Sequence, residues 1–253
     1  MNIAVITGAS SGLGKEFYRA VTRMYPELDE IWLIARRKDR MEALARESLG
    51  IRTVVLPLDL TKQENYNLYR RLLETVKPSV FLLINNAGFG KLGNLVDEEY
   101  EDQMTMVDLN DRALTALTCI TLPYVQDDGL IVNTASIAAF APNPRMTVYS
   151  ATKAFILSFS KSLREELKPR GINVLAVCPG PMDTEFLDVA NIREGDSEAF
   201  RKLPYCDPAK VAQKALLKGE EGKAVYTPKV FYKFYRVLAK LLPHNLIMKF
   251  SKT

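Results

Sequence analysis

The chain alternates short apolar segments rich in β-branched residues with longer segments in which apolar residues recur at helical spacing. Alternating or continuous apolar segments are typical of strands, whereas a spacing of about three to four positions is typical of helices. The short segments predict seven strands, at residues 3–7, 31–35, 53–58, 80–85, 130–134, 173–177 and 224–227. The longer segments predict helices at residues 12–25, 39–49, 62–76, 97–124, 148–169 and 207–218.

The fourth strand candidate is apolar almost throughout residues 80–84, which is typical of a strand covered on both faces of a parallel sheet. The regular alternation of strands and helices predicts an α/β protein with a three-layer Rossmann fold. Its doubly wound, mostly parallel sheet should have seven strands, with helices on both faces. Because no repeat or flexible linker interrupts the pattern, we predict a single domain over residues 1–253.

Two helix starts carry recognisable signals. The run Asp59-Leu60-Thr61 followed by Glu64 resembles a capping box. Asp207 followed by Pro208 predicts an N-cap with proline at the first helical position.

Composition narrows the classes of function. The 34 basic and 30 acidic residues are interspersed, so the net charge of +4 does not indicate a nucleic-acid-binding protein. Three distant cysteines, Cys119, Cys178 and Cys206, are typical of reduced thiols, and the single His244 argues against most metal hydrolases. We therefore expect no metal. We also expect a cytoplasmic protein, because the start lacks a signal-peptide pattern and no apolar run reaches about 18 residues.

The first predicted strand runs into a glycine-rich turn, Thr7-Gly8-Ala9-Ser10-Ser11-Gly12-Leu13-Gly14, and then into a helix. Glycines at this place allow a tight turn and the close approach of a pyrophosphate to the helix N-terminus. The spacing is GxxxGxG rather than GxGxxG, and Ala9 and Glu16 argue against a P-loop. We favour a dinucleotide-binding loop over a merely tight strand–helix turn.

The second predicted strand ends at Ala35 and is followed by Arg36 and Arg37. At this distance from the glycines an acidic residue would bind a ribose 2′-hydroxyl, whereas arginine accommodates a 2′-phosphate. No acid stands at Ala35, and two guanidiniums suit a phosphate. We therefore favour NADP(H) over NAD, the alternative being an ordinary solvated basic turn.

Tyr149 and Lys153 stand four residues apart in a predicted helix and therefore lie on one face, and Ser136 precedes them. A nearby ammonium would favour the phenolate and lower the pKa of Tyr149 from about 10. A phenol tuned in this way can exchange a proton with a carbonyl or alcohol oxygen, which the Ser136 hydroxyl could hold. The alternative is an ordinary solvated Tyr–Lys pair.

Five motifs follow one another in chain order from about residue 2 to 227. They are TGxxxGxG from Thr7, Asn85-Asn86-Ala87-Gly88, Ser136, Tyr149-x-x-x-Lys153, and Pro179-Gly180 with Thr184. This series resembles the short-chain dehydrogenase/reductase family. The segment 149–155 is similar to members that reduce ketones and aldehydes, more than to acyl-carrier-protein reductases. The resemblance implies an NADP(H)-dependent oxidoreductase that interconverts a carbonyl and an alcohol by hydride transfer.

The resemblance also implies a role for each matching residue. Tyr149 would be the catalytic acid/base, Lys153 would hold the ribose and lower the tyrosine pKa, and Ser136 would orient the substrate oxygen. Asn110 falls at the family's helix-bending asparagine, although an ordinary polar helix residue is the alternative. Met182 stands where Val or Ile is common. The implied cofactor-binding residues are Gly8, Ser10, Ser11, Gly12, Leu13, Gly14, Arg36, Arg37, Asp59, Leu60, Asn86, Ala87, Gly88, Asn110, Tyr149, Lys153, Pro179, Gly180, Met182 and Thr184.

Apolar side chains predict the nature of the substrate pocket. The segment 185–206 would form a mobile lid, whose apolar residues include Phe186, Leu187, Phe200 and Leu203. The loop before Tyr149 would supply Phe140, Pro142 and Met146. The predicted substrate contacts are Ser136, Phe140, Tyr149 and Phe186. We infer a hydrophobic carbonyl substrate, such as a steroid, a lipid-like compound or a 3-oxoacyl compound.

The C-terminal segment 229–253 carries an amphipathic helical pattern. Its apolar positions are Phe231, Phe234, Tyr235, Leu238, Leu241 and Leu242, and Lys233, Arg236 and Lys240 lie off that stripe. Three interpretations stay open: packing on the domain or on a sister subunit, a cover over the substrate pocket, or a basic segment lying on an anionic membrane surface.

Two functions from different classes stay open. The first is the active oxidoreductase, which the intact set of proton-transfer residues favours. The second is a catalytically silent NADP-binding sensor or scaffold of the same fold. The resemblance further implies a homo-oligomer, a dimer or a tetramer, that pairs the helices predicted at 97–124 and 148–169.

Overall fold

The computed structural model describes residues 1–48, 50–192 and 203–250, and these residues form a layered α/β structure around one parallel sheet. The strands are β1 (Asn2–Thr7), β2 (Glu30–Ala35), β3 (Arg52–Pro57), β4 (Ser79–Asn85), β5 (Val125–Thr134), β6 (Asn173–Val177) and β7 (Val225–Tyr226). Their order is β3-β2-β1-β4-β5-β6-β7, with every neighbouring pair parallel. The predicted fold is confirmed.

Helices cover both faces of this sheet. They are α1 (Gly12–Met24), α2 (Lys38–Ala45), α3 (Gln63–Val76), α4 (Tyr100–Val107), α5 (Ala113–Thr121), α6 (Thr147–Leu167), α7 (Phe186–Val189), α8 (Pro208–Glu220), α9 (Val230–Leu241) and α10 (His244–Phe250). Side chains alternate between the two faces of each strand. In β1, Ala4 and Ile6 therefore pack with residues of α1 and α8, whereas Ile3 and Val5 pack with α3, α5 and α6. Among the described residues, no helix combines the length and apolar character needed to cross a membrane.

The strand order reverses between β1 and β4, and a crevice opens at the carboxyl ends of these two strands. Thr7 joins the strands there, because its Oγ1 accepts hydrogen bonds from the backbone N–H groups of Asn86 (2.9 Å) and Ala87 (3.0 Å). The buried Asn85 side chain donates to Asn133 Oδ1 on β5, at 2.9 Å. These hydrogen bonds fix the three central strand ends relative to one another.

The local helix signals have mixed outcomes. Asp207 caps α8 as predicted, since its carboxylate accepts hydrogen bonds from two amides of the first turn. The predicted capping box at 59–61 is wrong. Asp59 instead accepts hydrogen bonds from the amide and hydroxyl of Thr61, and α3 begins after Lys62. The helix predicted over 97–124 is divided, because one π-helical turn, Asp108–Arg112, separates α4 from α5.

The C-terminal helix α9 packs against the loop that follows β6. The Tyr232 side chain is fully buried and lies against Gly180, where a Cβ atom would overlap its ring. Its hydroxyl donates a hydrogen bond to the carbonyl oxygen of Pro204, at 2.9 Å. Part of the C-terminal segment therefore packs on its own domain, as the first of the three interpretations proposed, while residues 251–253 lie outside the described ranges.

We expect Gly180 and Tyr232 to be energetically coupled. Gly180→Ala should lower the free energy of unfolding because the new methyl group overlaps the tyrosine ring. Tyr232→Ala should lower it by about 3–5 kcal/mol through loss of buried contacts. The double variant should be less destabilised than the sum of the two by about 0.5–3 kcal/mol, because the truncated side chain makes room for the methyl group. Urea unfolding of the four proteins measures this difference.

Gly180→Ala combined with Tyr235→Ala provides the matched control. Tyr235 lies on the same helix, but the atoms nearest to a Cβ on Gly180 all belong to Tyr232. The control pair should be additive, and additivity in the Gly180–Tyr232 pair as well would contradict the proposed contact.

Candidate active site

A cavity of about 1100 Å³ opens at the carboxyl ends of the strands and brings most of the predicted site residues together. Those that line it are Gly8, Ser10, Ser11, Gly12, Leu13, Arg36, Arg37, Asp59, Leu60, Asn86, Ala87, Gly88, Ser136, Tyr149, Lys153, Pro179, Gly180, Met182, Thr184 and Phe186. Gly14, Asn110 and Phe140 are not part of this lining. Because parallel strands all end at the same edge, motifs far apart in the chain converge there.

The turn between β1 and α1 requires its glycines for two different reasons. Gly8 and Gly12 have φ angles of 67° and 51°, in the left-handed region that side chains disfavour. Gly14 is needed for space, since a Cβ there would overlap the carbonyl oxygen of Gly8. The turn therefore brings bare backbone and the N-terminus of α1 to the cavity, an arrangement that suits a phosphate.

Arg37 is the guanidinium that faces this turn. It donates hydrogen bonds to Ser11 Oγ at 2.8 Å and to Ser10 Oγ at 3.2 Å. It also forms an ion pair with Glu185 at 2.7 Å, and Arg40 pairs with the same carboxylate. Two guanidiniums and two hydroxyls thus form a group of donors that already holds one anionic side chain, and such a group can bind a phosphate.

Arg36 lies on the other side of the β2 end, near Asp59. Burial raises the pKa of Asp59, but hydrogen bonds from Thr61 and the charge of Arg36 more than offset it, so the pKa lies below its ordinary value. Asp59 is therefore an ionised acceptor at the cavity wall. The two neighbouring arginines have different partners, which their adjacency in the sequence does not reveal.

Ser136, Tyr149 and Lys153 meet between the end of β5 and the first turns of α6, and all three are buried. The Ser136 hydroxyl lies near enough to the Tyr149 phenol to affect its pKa, and its Oγ accepts a hydrogen bond from the Ala138 amide at 3.1 Å. The Lys153 ammonium lies 5.6 Å from the centre of the Tyr149 ring and donates to the carbonyl oxygen of Thr134 at 2.8 Å. The solvated Tyr–Lys pair, the alternative in the sequence, is therefore excluded by burial.

Burial dominates the electrostatics of this group. Desolvation raises the pKa of Tyr149 to about 12, and the Ser136 hydroxyl opposes the rise. Desolvation also lowers the pKa of Lys153 to about 8, against the charge of Asp111. The predicted lowering of the tyrosine pKa is therefore wrong. The loss of hydration destabilises the phenolate more than the Lys153 ammonium, 5.6 Å from the ring centre, stabilises it.

Asn110 sits in the π-helical turn and supports the site from behind. Its Oδ1 accepts from the Phe89 amide, and its Nδ2 donates to the Phe89 carbonyl oxygen and to Thr152 Oγ1, each at 3.0 Å. The next residue, Asp111, has a buried Oδ1 without a hydrogen-bond partner among the described residues. Burial raises the pKa of Asp111 to about 7, and the charge of Lys153 opposes the rise.

The other end of the cavity is apolar. The ring centre of Phe186 lies 5.6 Å from that of Tyr149, and the buried Met146 and Leu187 also line this end. Residues 193–202 of the predicted lid, which include Phe200, lie outside the described ranges.

The C-terminal segment forms a further wall of this cavity. Its lining residues are Phe231, Tyr232, Tyr235, Leu238, Leu242, Leu246 and Ile247. Phe140, a predicted substrate contact, packs against Tyr235 with ring centres 6.3 Å apart, and the Arg236 guanidinium lies over the Phe140 ring, 5.9 Å from its centre. Phe140 therefore supports the C-terminal helix from behind rather than lining the cavity.

Three contributors were not predicted from the sequence: Glu185, Thr152 and Asp111. Glu185 directly follows the predicted Thr184, yet its pairing with Arg37 joins positions 148 residues apart, and no local spacing indicates such a contact. Thr152 is next to the predicted Lys153, and Asp111 is next to the predicted Asn110. The contact of Thr152 with Asn110 and the effect of Asp111 on Lys153 depend on the π-helical turn, which the sequence does not show.

Comparison with known proteins agrees with this geometry. The family model described as short chain dehydrogenase matches residues 2–195. An uncharacterized oxidoreductase of Staphylococcus aureus is 30% identical over 184 residues, which cover 72% of this chain and 78% of the relative.

Two solved structures extend the likeness over almost the whole chain. A short-chain dehydrogenase from Sphingobium yanoikuyae in complex with NADPH is 32% identical, with a TM-score of 0.80 over 98% of this chain and 96% of that one. A bulky-bulky ketone specific alcohol dehydrogenase from Comamonas testosteroni is 31% identical, with a TM-score of 0.76 over 98% and 94%. On its fold, its motifs and these matches, the chain belongs to the short-chain dehydrogenase family and is an oxidoreductase.

Proposed function

We propose that this protein is an NADP(H)-dependent oxidoreductase that interconverts a hydrophobic ketone or aldehyde and the corresponding alcohol. The observation that carries the proposal is the buried group of Ser136, Tyr149 and Lys153 in the same cavity as the glycine turn and Arg37. Family membership supports oxidoreductase chemistry. The site residues and their roles are those that the motifs imply.

The residues present fit a dinucleotide that carries a 2′-phosphate. Bare backbone at Gly8 and Gly12 leaves room for a pyrophosphate, and Arg37 with the hydroxyls of Ser10 and Ser11 offers donors for a further phosphate. The relative from Sphingobium yanoikuyae was solved with NADPH, which supports the same choice here. When bound, the cofactor would supply the hydride that joins the carbonyl carbon.

The protein's own side chains would handle the substrate oxygen and the proton. Ser136 would hold the oxygen beside Tyr149, whose pKa of about 12 keeps the phenol protonated at neutral pH and able to donate during reduction. Lys153, mostly charged below its pKa of about 8, would bind the ribose hydroxyls and stabilise the phenolate that remains. Asn110 would keep the π-helical turn and Lys153 in place.

The cavity walls favour a bulky apolar substrate. Phe186, Met146 and Leu187 form one wall near the phenol, and the apolar face of α9 forms another. The relative from Comamonas testosteroni is specific for bulky-bulky ketones, which supports this size class. Steroids, lipid-like ketones and 3-oxoacyl compounds are the substrate classes we propose.

The assembly state and the cellular location of the protein are also proposed here. Tyr100, Met104 and Val107 recur on one face of α4 and are exposed, and Phe155 of α6 is also exposed. Apolar faces on these two helices suit burial between copies of the chain. We therefore propose a cytoplasmic homo-oligomer that pairs the helices around residues 97–124 and 148–169.

A catalytically silent NADP-binding sensor is the second candidate. The buried proton-transfer group argues against it, because binding alone would not require a desolvated Tyr–Lys pair. Tight NADPH binding without turnover of steroids, 3-oxoacyl thioesters, aliphatic ketones, aldehydes or sugars would favour the sensor.

Tyr149→Phe should bind NADPH as wild type but lose carbonyl reduction by about 10²–10⁴-fold or more, because the proton donor is removed while the ring is kept. NADPH oxidation across the substrate panel measures turnover, and fluorescence titration measures binding. Tyr235→Phe, which removes a hydroxyl from another cavity-lining ring, one that packs against Phe140, is the matched control. Substantial turnover by Tyr149→Phe would refute the assignment.

Arg37→Ala should raise KM for NADPH by about tenfold or more and leave KM for NADH nearly unchanged, because a charged hydrogen-bonding partner of the 2′-phosphate is lost.

Glu185→Gln should lower KM for NADPH, since the carboxylate no longer competes for the Arg37 guanidinium. Arg36→Ala should have a smaller effect than Arg37→Ala, and the exposed Arg23→Ala should have none. Equal use of NADH and NADPH by the wild type would contradict the cofactor assignment.

The pH profile should report Lys153. Its pKa is lowered to about 8, so the charged fraction falls as the pH rises through that value, and kcat/KM for NADPH should decline above it. Asp111→Asn removes a charge that raises the Lys153 pKa, so the decline should begin at lower pH. Asp108→Asn, on the same turn but paired with Arg112, is the control and should keep the wild-type profile. Identical profiles for Asp111→Asn and wild type would count against this coupling.

A further inference from the structure

Helix α9 presents an apolar stripe to solvent. Val230, Phe234, Val237 and Leu241 follow one another at spacings of four, three and four residues and therefore share one face. Their relative exposures are 79%, 63%, 54% and 73%. The opposite face carries the buried Tyr232 and Ala239, which attach the helix to the domain. We call these four exposed residues the α9 stripe.

Basic residues accompany the α9 stripe. Residues 229–249 contain Lys229, Lys233, Arg236, Lys240 and Lys249 and no aspartate or glutamate. Lys233 and Lys240 are exposed and are seven residues apart, so they form a line beside the stripe. The segment that carries the stripe therefore combines exposed apolar side chains with basic residues and has no acidic residue of its own.

A second apolar line on the same helix faces the cavity. Phe231, Tyr235 and Leu238, with Leu242 directly after the helix end, repeat the spacing of four, three and four, one position along from the α9 stripe, and all four line the cavity. The wall of the cavity and the exposed stripe are therefore adjacent sides of one helix, with the basic line on the far side of the stripe.

We propose that the α9 stripe docks on an anionic lipid surface, so that the cavity lies next to the membrane and takes its hydrophobic carbonyl substrate from the lipid phase. Apolar side chains would enter the headgroup–acyl boundary, and the lysines beside them would contact anionic headgroups. A second copy of the chain is a poorer occupant, because a two-fold interface over this stripe would bring like charges together. The substrate part rests on the proposed function, whereas membrane docking does not.

Co-sedimentation of the full chain with vesicles tests the docking. We expect the wild type to bind vesicles of phosphatidylcholine with phosphatidylglycerol, to bind pure phosphatidylcholine much more weakly, and to dissociate as salt is raised, because the lysine contribution is screened. Phe234→Ser/Val237→Ser/Leu241→Ser should reduce binding by about tenfold or more through loss of apolar burial. Lys233→Gln/Lys240→Gln should remove most of the preference for anionic vesicles.

Matched controls use residues of the same types elsewhere on the surface. Leu68→Ser/Val76→Ser/Leu217→Ser removes three exposed apolar side chains from α3 and α8 and should leave binding unchanged. Lys214→Gln/Lys223→Gln removes two exposed lysines and should keep the preference for anionic vesicles.

We call Phe234→Ser/Val237→Ser/Leu241→Ser the stripe variant. Two kinds of result would overturn the proposal. The first is that the wild type does not bind anionic vesicles at low salt, or that the stripe variant binds them as well as the wild type does. The second is a stripe variant whose only change is a smaller oligomer in analytical ultracentrifugation, which would assign the stripe to a second copy.

Kinetics separate the docking from the proposed function. With a water-soluble ketone, the stripe variant should match the wild type, because none of its three changed residues lines the cavity. With a ketone dissolved in anionic vesicles, the turnover rate of the stripe variant should fall in proportion to its vesicle binding. Vesicle binding by the wild type without turnover of any carbonyl would refute the oxidoreductase proposal and leave docking intact. Turnover without vesicle binding would refute docking and leave the oxidoreductase proposal intact.

Discussion

Two-sided burial of a parallel sheet is the constraint on which the other features depend. The strands of the described sheet all run in one direction, so the helices that connect them cover both faces and the carboxyl ends of the strands meet at one edge. The reversal of strand order between β1 and β4 leaves a crevice at that edge, and Thr7 holds the two strand ends together with paired hydrogen bonds. The glycine turn, the arginines and the buried group of Ser136, Tyr149 and Lys153 reach the same cavity for this reason.

The polar groups of the cavity are costly to bury and are positioned by a few specific contacts. Lys153 is held by the Thr134 carbonyl oxygen, and Asn110 ties the π-helical turn to Phe89. The same burial moves the pKa values of Tyr149 and Lys153 in the directions that disfavour charge. A bound cofactor that brings its own charges and hydroxyls would therefore act on a group already sensitive to small electrostatic changes.

Helix α9 connects the cavity to the outer surface. Its Tyr232 lies on Gly180 in the loop after β6, its second apolar line forms a cavity wall, and its outward stripe meets solvent. The packing and cavity-cover interpretations of the C-terminal segment are thus compatible, because a helix has more than two usable sides. The same geometry places any partner of the outward stripe next to the cavity.

The sequence by itself determined the fold class, the strand positions and most of the residues that line the cavity, because hydrophobic periodicity and glycine-rich turns are local properties of the chain. It did not reveal the π-helical turn, the pairing of Arg37 with Glu185, the position of Phe140 behind the C-terminal helix, or the raised pKa of Tyr149. Each of these depends on which distant side chains meet and on how much water they exclude. Spacing along the chain predicts which residues share a face, but only the tertiary structure decides what that face is buried against.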